Sequence, residues 1–388
     1  MSLCASITPG QFDNSFGMEQ NGTVRTDAHH ISGQSALLSD GSFVTVGYLE
    51  ANPDARLGSI KHSADGFFDA DYGVVTLPVT LTRSVYAIAA QPDGKVVVLG
   101  AYREGSNPDK AYLARLSANG ELDQTFAEGG LKFLEQKIAN NSLNVFALTV
   151  QPDGKVLAAF TDGSSSTIIR LDKNGQPDNF GQDGMVLLPN TIIQSLALHQ
   201  GGFLVGGHDR MEGIVLRYLD SGSRDPAFAN NGAFKFKIKS GLACVFALAT
   251  EVNGNITLAG AAWHLPSETN FIARLLQDGR FDGSFNQGTV LETGTGNGVY
   301  KALAIQADGK ALALARDQYR GFLVNVVRHN PNGQWDSTFG EGGVALGYSD
   351  PQGRPQDSQV DKIKIQPDGK ILVSGFYRAA SYIGRLLG

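Results

Sequence analysis

Val145-Phe146-Ala147-Leu148-Thr149-Val150-Gln151-Pro152-Asp153-Gly154-Lys155-Val156-Leu157-Ala158-Ala159-Phe160 consists of two short apolar runs joined by a Gln-Pro-Asp-Gly turn. Runs of this length, rich in branched and aromatic residues and patterned with period two, read as β-strands. Proline presets φ at the first turn position and glycine accepts the positive φ that tightens it, so the pair reads as a hairpin. Leu131-Lys132-Phe133-Leu134 before it and Thr167-Ile168-Ile169-Arg170-Leu171 after it complete a unit of four strands. The turn recurs at Asp40-Gly41, Pro92-Asp93-Gly94, Ala307-Asp308-Gly309 and Pro367-Asp368-Gly369. It is degraded at Gln200-Gly201-Gly202 and Val252-Asn253-Gly254.

A second marker of the form Asp-x-x-Phe, or close to it, falls at Asp13, Asp69, Asp123, Asp178, Asp225, Asp282 and Asp336, at intervals of 47 to 57 residues. No interval is long enough to hide an inserted domain. Four strands per unit and seven units predict an all-β fold: a seven-bladed β-propeller of four-stranded antiparallel blades. A β-solenoid has shorter coils and does not use four hairpin-like strands in each. The chain 1–388 reads as a single domain, with units at about 22–66, 73–120, 130–175, 184–222, 232–279, 288–333 and 343–388, and with 1–17 completing the ring.

A cation stands eight residues before each aspartate but Asp13: Lys61, Arg115, Arg170, Arg217, Arg274 and Arg328. A feature present once per blade belongs to the scaffold, whereas a reaction site needs asymmetry. An arginine among apolar neighbours must be paired, and the repeat aspartate is its natural partner. Arg385 has no aspartate after it, and Asp13 has no arginine before it. The expectation is that the N- and C-terminal segments pair and close the ring through this contact, with Leu3–Thr8 as an added edge strand.

The composition is that of a globular chain: 42% hydrophobic, 18% charged, and without an apolar run fit for a membrane span. Its 48 glycines sit at fixed places in the repeat, as turn glycines do. A net charge of −6 argues against nucleic acid as a partner, since phosphate binding needs a basic face. Cys4 and Cys244 make no disulfide framework. Met1–Ile7 lacks the basic and apolar regions of a signal peptide, which points to the cytoplasm or to export by a leaderless route.

The repeat resembles the bacterial delta-60 repeat proteins. Their units carry a Gln-Pro-Asp-Gly-Lys turn, an Ala-Arg-Leu strand and a Gly-x-x-Asp-x-x-Phe-Gly link. Gln91 to Lys95, Ala114-Arg115-Leu116 and Gly120 to Phe126 match, as do Gln366 to Lys370 and Arg385-Leu386. Units four and five depart from the turn consensus, and Lys61 replaces arginine in unit one. The resemblance implies a β-propeller and carries no catalytic residues.

The turns and Asp-x-x-Phe links fall on one face and the remaining loops on the other. The first face is monotonous, so function is expected on the second. Its candidate ligand-binding residues are Tyr48, Tyr102, Arg103, His208, Asp209, Arg210, Trp263, His264, Asp317, Tyr319, Arg320, Tyr377 and Arg378. Tyr, Trp and Arg are the types that make binding hot spots and stack on sugars. The reading is a non-catalytic recognition propeller for a glycan or protein partner. The alternative is a hydrolase or lyase with its site at the channel mouth, using His208, Asp209, Arg210, His264, Asp317 and Arg320. Phosphate-binding motifs and the Gly-x-Ser-x-Gly elbow are absent from the sequence, so no cofactor is expected. Adjacent His29 and His30 near Asp27 point apart in an extended loop and have no third histidine at a ligand spacing, so no metal is expected. Tyr348 to Gln359, polar and holding Pro351 and Pro355, reads as a flap or partner contact.

Overall fold

The computed structural model describes residues 8–388 except 27–30, 50–55, 81–84, 103–109, 138–145, 211, 239–240, 265–266, 295–298, 317–323, 347–357 and 378–379. The described strands form seven four-stranded antiparallel sheets, the blades of a seven-bladed β-propeller. In each blade the strands A to D run in order from the axis outward, because the A strands of successive blades from 1 to 7 lie against one another. The A strands are Ile31–Leu37, Val85–Ala90, Phe146–Val150, Thr191–His199, Leu242–Thr250, Val299–Ile305 and Ser358–Ile365, in blades 1 to 7.

Blade and sequence unit are out of phase by one strand. Met185–Leu188, which opens the unit starting near residue 184, pairs with Ser166–Leu171 and is the D strand of blade 3. Each unit therefore donates its first strand to the blade before it. In blade 7 that strand is Thr23–Arg25, paired with Tyr382–Gly384, so the beginning of the described chain closes the end. The proposed edge strand Leu3–Thr8 lies, but for Thr8, outside the described residues.

The Gln-Pro-Asp-Gly turn forms for the expected reason. Gly154 has φ +86°, its N–H donates to the Gln151 carbonyl at 2.9 Å, and the Asp153 carboxylate accepts from Lys155 N–H at 3.2 Å. In six of the seven links the phenylalanine is a wedge, and in the link of Asp69 its place is taken by Tyr72. Phe16, Phe126, Phe180, Phe228, Phe285 and Phe339 are all at most 2% exposed and sit in the apolar layer between their own blade and the next. Full burial of one such ring is worth about 2–3 kcal/mol. The fold is thus held by seven interblade layers around a central channel.

Candidate functional site

The repeated charges are struts. Arg115 Nε donates to Asp123 at 2.7 Å, and the pairs in the other blades are Lys61–Asp69 at 3.7 Å, Arg170–Asp178 at 2.7 Å, Arg217–Asp225 at 3.1 Å, Arg274–Asp282 at 2.7 Å and Arg328–Asp336 at 2.8 Å. Arg385, fully buried, meets Asp13 at 2.8 Å across the seam. Five of the guanidinium groups stack 4.5 to 5.1 Å from the link phenylalanine, and Arg115, Arg170 and Arg385 each reach a carbonyl of the next blade, Arg385 that of Ala64 at 2.7 Å. These groups are engaged within the scaffold, with Arg217 Nε and Arg385 Nε buried without a hydrogen-bond partner.

Most of the connections on the variable face fall outside the described residues, and with them Arg103, Asp317, Tyr319, Arg320, Arg378, the stretch 347–357, and Asp27, His29 and His30. His264 and Tyr377 are placed by backbone only. The described candidates do not gather at one point. Asp209 ion-pairs at 2.8 Å with Lys235 on the outermost strand of blade 4, and Arg210 is exposed in the adjoining turn with φ +54°. His208 is half-buried, and burial lowers its pKa. Tyr102 is 7% exposed and packs edge-on against Phe133 within its blade, at 4.8 Å. Tyr48 is half-buried beside the apolar layer between blades 1 and 2.

Trp263 is different, because it belongs to a feature that the sequence reading missed. The A strands of blades 2, 4, 5, 6 and 7 each contain a β-bulge, and the extra residues are Tyr86, Gln194, Phe246, Lys301 and Asp361. All five stand five residues before the first residue of the A–B turn, so they form one level of a ring around the channel, on the variable-face side. A bulge takes a residue out of ladder register and re-aims its side chain. The same level holds Gly33 in blade 1 and Phe146 in blade 3, so no two adjacent blades agree. Lys301 Nζ lies 3.6 Å from the centre of the Phe246 ring, and Trp263 meets Phe246 edge-on at 5.4 Å. Trp263 is itself fixed by Nε1 donating to Glu268 at 2.8 Å. A largely buried aromatic and cationic cluster therefore joins blades 5 and 6 beside the channel, with Phe246 9% exposed and Trp263 partly so. A signal was present in the sequence: the extra residue breaks the period-two pattern of these strands, as Cys244-Val245-Phe246-Ala247 does.

The turn face is also less uniform than its repeats suggest. Blade 4 lacks proline, aspartate and lysine in its turn, and a cavity of about 600 Å3 opens among the turns of blades 3, 4 and 5, lined by Pro152, Asp153, His199, Gln200, Glu251 and Val252 among others. His199 takes the place of the turn glutamine. Its Nε2–H donates to the Gly254 carbonyl of the next blade at 2.8 Å, as Gln366 does to Gly41 at 2.9 Å. Arg217 is drawn off the link phenylalanine to the His199 and Gln200 carbonyls. The hollow follows from a shortened turn, and its acids are taken up by scaffold cations: Asp153 by Lys155, Glu251 by Arg274.

Among the described residues no three His, Cys, Asp or Glu are placed to hold a metal ion, and no helix is long and apolar enough to cross a membrane.

Residues 91–126, 151–180 and 253–285 match a β-propeller domain of unknown function, DUF5122. Each matched segment runs from an A–B turn to the link phenylalanine, so the likeness covers the struts and omits the inner strands. No curated protein matches the chain in sequence. Among solved structures, the Dos1 propeller superposes with a TM-score of 0.50 at 9% identity, over 95% of this chain and 82% of that one. The polysaccharide lyase Uly1 gives 0.50 at 10% identity, over 92% and 90%. The PQQ-bound aldose sugar dehydrogenase of Streptomyces coelicolor gives 0.45 at 13% identity, over 77% and 93%. Identities this low speak to fold alone. Sheet order, the matched repeats and the two neighbours at a TM-score of 0.50 agree that the chain is a β-propeller.

Proposed function

We propose that the chain is a delta-60 repeat propeller that binds a glycan, without transforming it, at the mouth of the central channel on its variable-loop face. The observation that carries this reading is the bulge ring. On a scaffold whose other features repeat blade by blade, one level of the inner wall carries Tyr86, Gln194, Phe246 and Lys301, with Trp263 against it. Aromatic faces interleaved with polar side chains in a concave mouth suit stacked sugar rings, whose axial C–H bonds pack on the ring while their hydroxyls reach the polar groups. A flat protein partner would instead need a broad apolar rim. The exposed large apolar residues that are described, such as Phe133, Leu187 and Leu346, are scattered along outer strands.

The test is a glycan-binding screen of the intact protein, followed by calorimetry on its best ligand with Trp263→Ala and Tyr86→Ala. Each substitution is expected to weaken binding about tenfold or more, the scale of a hot-spot aromatic. Unchanged affinity in both folded variants, or release of cleaved product by the wild type, overturns the reading.

A further inference from the structure

The inner wall of the channel is nearly free of charge except on one side. Among the seven A strands the Asp, Glu, Lys and Arg residues are Lys301, Asp361, Lys362 and Lys364, all in blades 6 and 7. That wall is net positive, inside a chain whose formal charge is −6.

Lys364 is the exception that singles out this side. It stands two residues before the turn, at the level filled elsewhere by Ala36, Ala89, Thr149, Ala197, Ala249 and Ala304. The ladder confirms the equivalence, since Lys364 pairs with Leu372 as Ala89 pairs with Val97 and Ala304 with Leu312. The lysine is exposed to solvent, and the protein around it lowers its pKa by desolvation. Among the described residues no carboxylate pairs with it.

Its neighbourhood explains the room it has. Between the other blades inner strand lies against inner strand, but the A strand of blade 1 packs mainly on the B and C strands of blade 7, and Lys364 borders Ser35 and Leu37 across a small crevice at this seam. The crevice beside Lys364, lined by Ser35, Leu37, Phe43, Leu372 and Ser374, measures about 20 Å3, enough for one water. The crevice is too small for a ligand, and the strand that carries this exposed lysine is the innermost of its blade, bordering the channel. Three residues along a strand separate this level from the bulge ring, a depth of about 10 Å. In a narrow passage with low-dielectric walls such a charge is focused on whatever enters.

We infer that the glycan bound at the ring carries an acidic group, a carboxylate or a sulfate, and that Lys364 receives it inside the channel with Lys362 adding to the field. This rests on the glycan reading above and narrows its ligand class.

The experiment is calorimetry of the intact protein with tetragalacturonate, a sulfated chondroitin tetrasaccharide and neutral cellotetraose, at low and high salt, for the wild type and Lys364→Ala. The substitution restores the residue of five other blades, so the fold is retained, and a thermal melt checks it. At least one acidic tetrasaccharide is expected to bind the wild type tenfold or more tighter than cellotetraose, with the advantage shrinking in high salt. Lys364→Ala is expected to abolish that advantage and leave cellotetraose binding unchanged. The two acidic arms separate carboxylate from sulfate recognition. Equal affinity for acidic and neutral sugars, or a preference that survives Lys364→Ala, overturns the inference while leaving the glycan reading in place. Absence of binding to every saccharide overturns both.

Discussion

Arg385→Met removes the strut at the only place where its two halves come from opposite ends of the described chain. The guanidinium is fully buried, ion-pairs with Asp13 at 2.8 Å, donates to the Ala64 carbonyl at 2.7 Å and to Asp65 at 3.0 Å, and covers the Phe16 ring at 4.6 Å. Methionine keeps much of the apolar stem but strands Asp13, 6% exposed, with Lys370 at 3.2 Å as its remaining cation. Breaking a buried pair from one side costs about 3–5 kcal/mol. Unfolding entropy of about 2.1 cal/mol/K per residue, over the 388 residues of the chain, turns that into a fall in Tm of about 4–6 °C. Arg115→Met is the control, because it breaks the same strut where the partner, Asp123, is tied only eight residues along the chain. Both variants are expected to lose similar stability. Only Arg385→Met is expected to free the segment 8–25, which otherwise bonds back through Asp13 N–H to the Arg385 carbonyl at 2.9 Å and Gly10 N–H to the Leu387 carbonyl at 2.8 Å. Hydrogen exchange read residue by residue is the assay. Unchanged protection over 8–25 in Arg385→Met, or a Tm equal to wild type, refutes closure by this strut.

Acid should undo the struts together. Burial raises the pKa of Asp13, Asp123, Asp178, Asp282 and Asp336, but hydrogen bonds and the paired cations outweigh it and hold all five below the usual value. Their contribution is complete above the unfolded pKa near 4 and is lost as pH falls through the folded values, so Tm should drop steeply between about pH 4 and pH 2, less steeply in Asp123→Asn. His329 acts at milder pH. Burial pushes its pKa down to about 4, with Nδ1–H donating to the Gly333 carbonyl at 3.0 Å, so it contributes stability above pH 6.5 that fades by about 3 kcal/mol as pH falls to 4. His329→Phe should flatten the stability profile over that range, as urea titrations at each pH would report. Cys244 is fully buried and its thiol pKa is raised by burial, so in a Cys4→Ser background a thiol reagent should label it only after unfolding. Labelling of the folded protein would contradict its place between blades 5 and 6.

The scaffold was legible in the sequence because each of its parts is repeated. Turn glycine, strut arginine, link aspartate and wedge phenylalanine recur at fixed spacing, and Arg385 and Asp13 could be matched because each lacked the partner its siblings have. The phase of the blades was less legible. Pairing of Met185–Leu188 with the preceding strand, rather than with the hairpin after it, depends on which edge is free in three dimensions. The candidate site was the least legible part, since it is made of exceptions. Phe246 and Lys301 are 55 residues apart and meet only because their bulges stand at one level of the ring. Lys364 is one lysine among several until its column of alanines is lined up.

The one-strand offset also sets an order of events during synthesis. Thr23–Arg25 is made early, and its partner Tyr382–Gly384 follows some 357 residues later, about 20–70 s at ordinary translation rates. Through that interval a strand waits unpaired, an edge open to any passing chain. It is three residues long and polar at both ends, with threonine at one and arginine at the other, too short to template a neighbour. The seam of this ring is safe to leave open because so little of it is sticky.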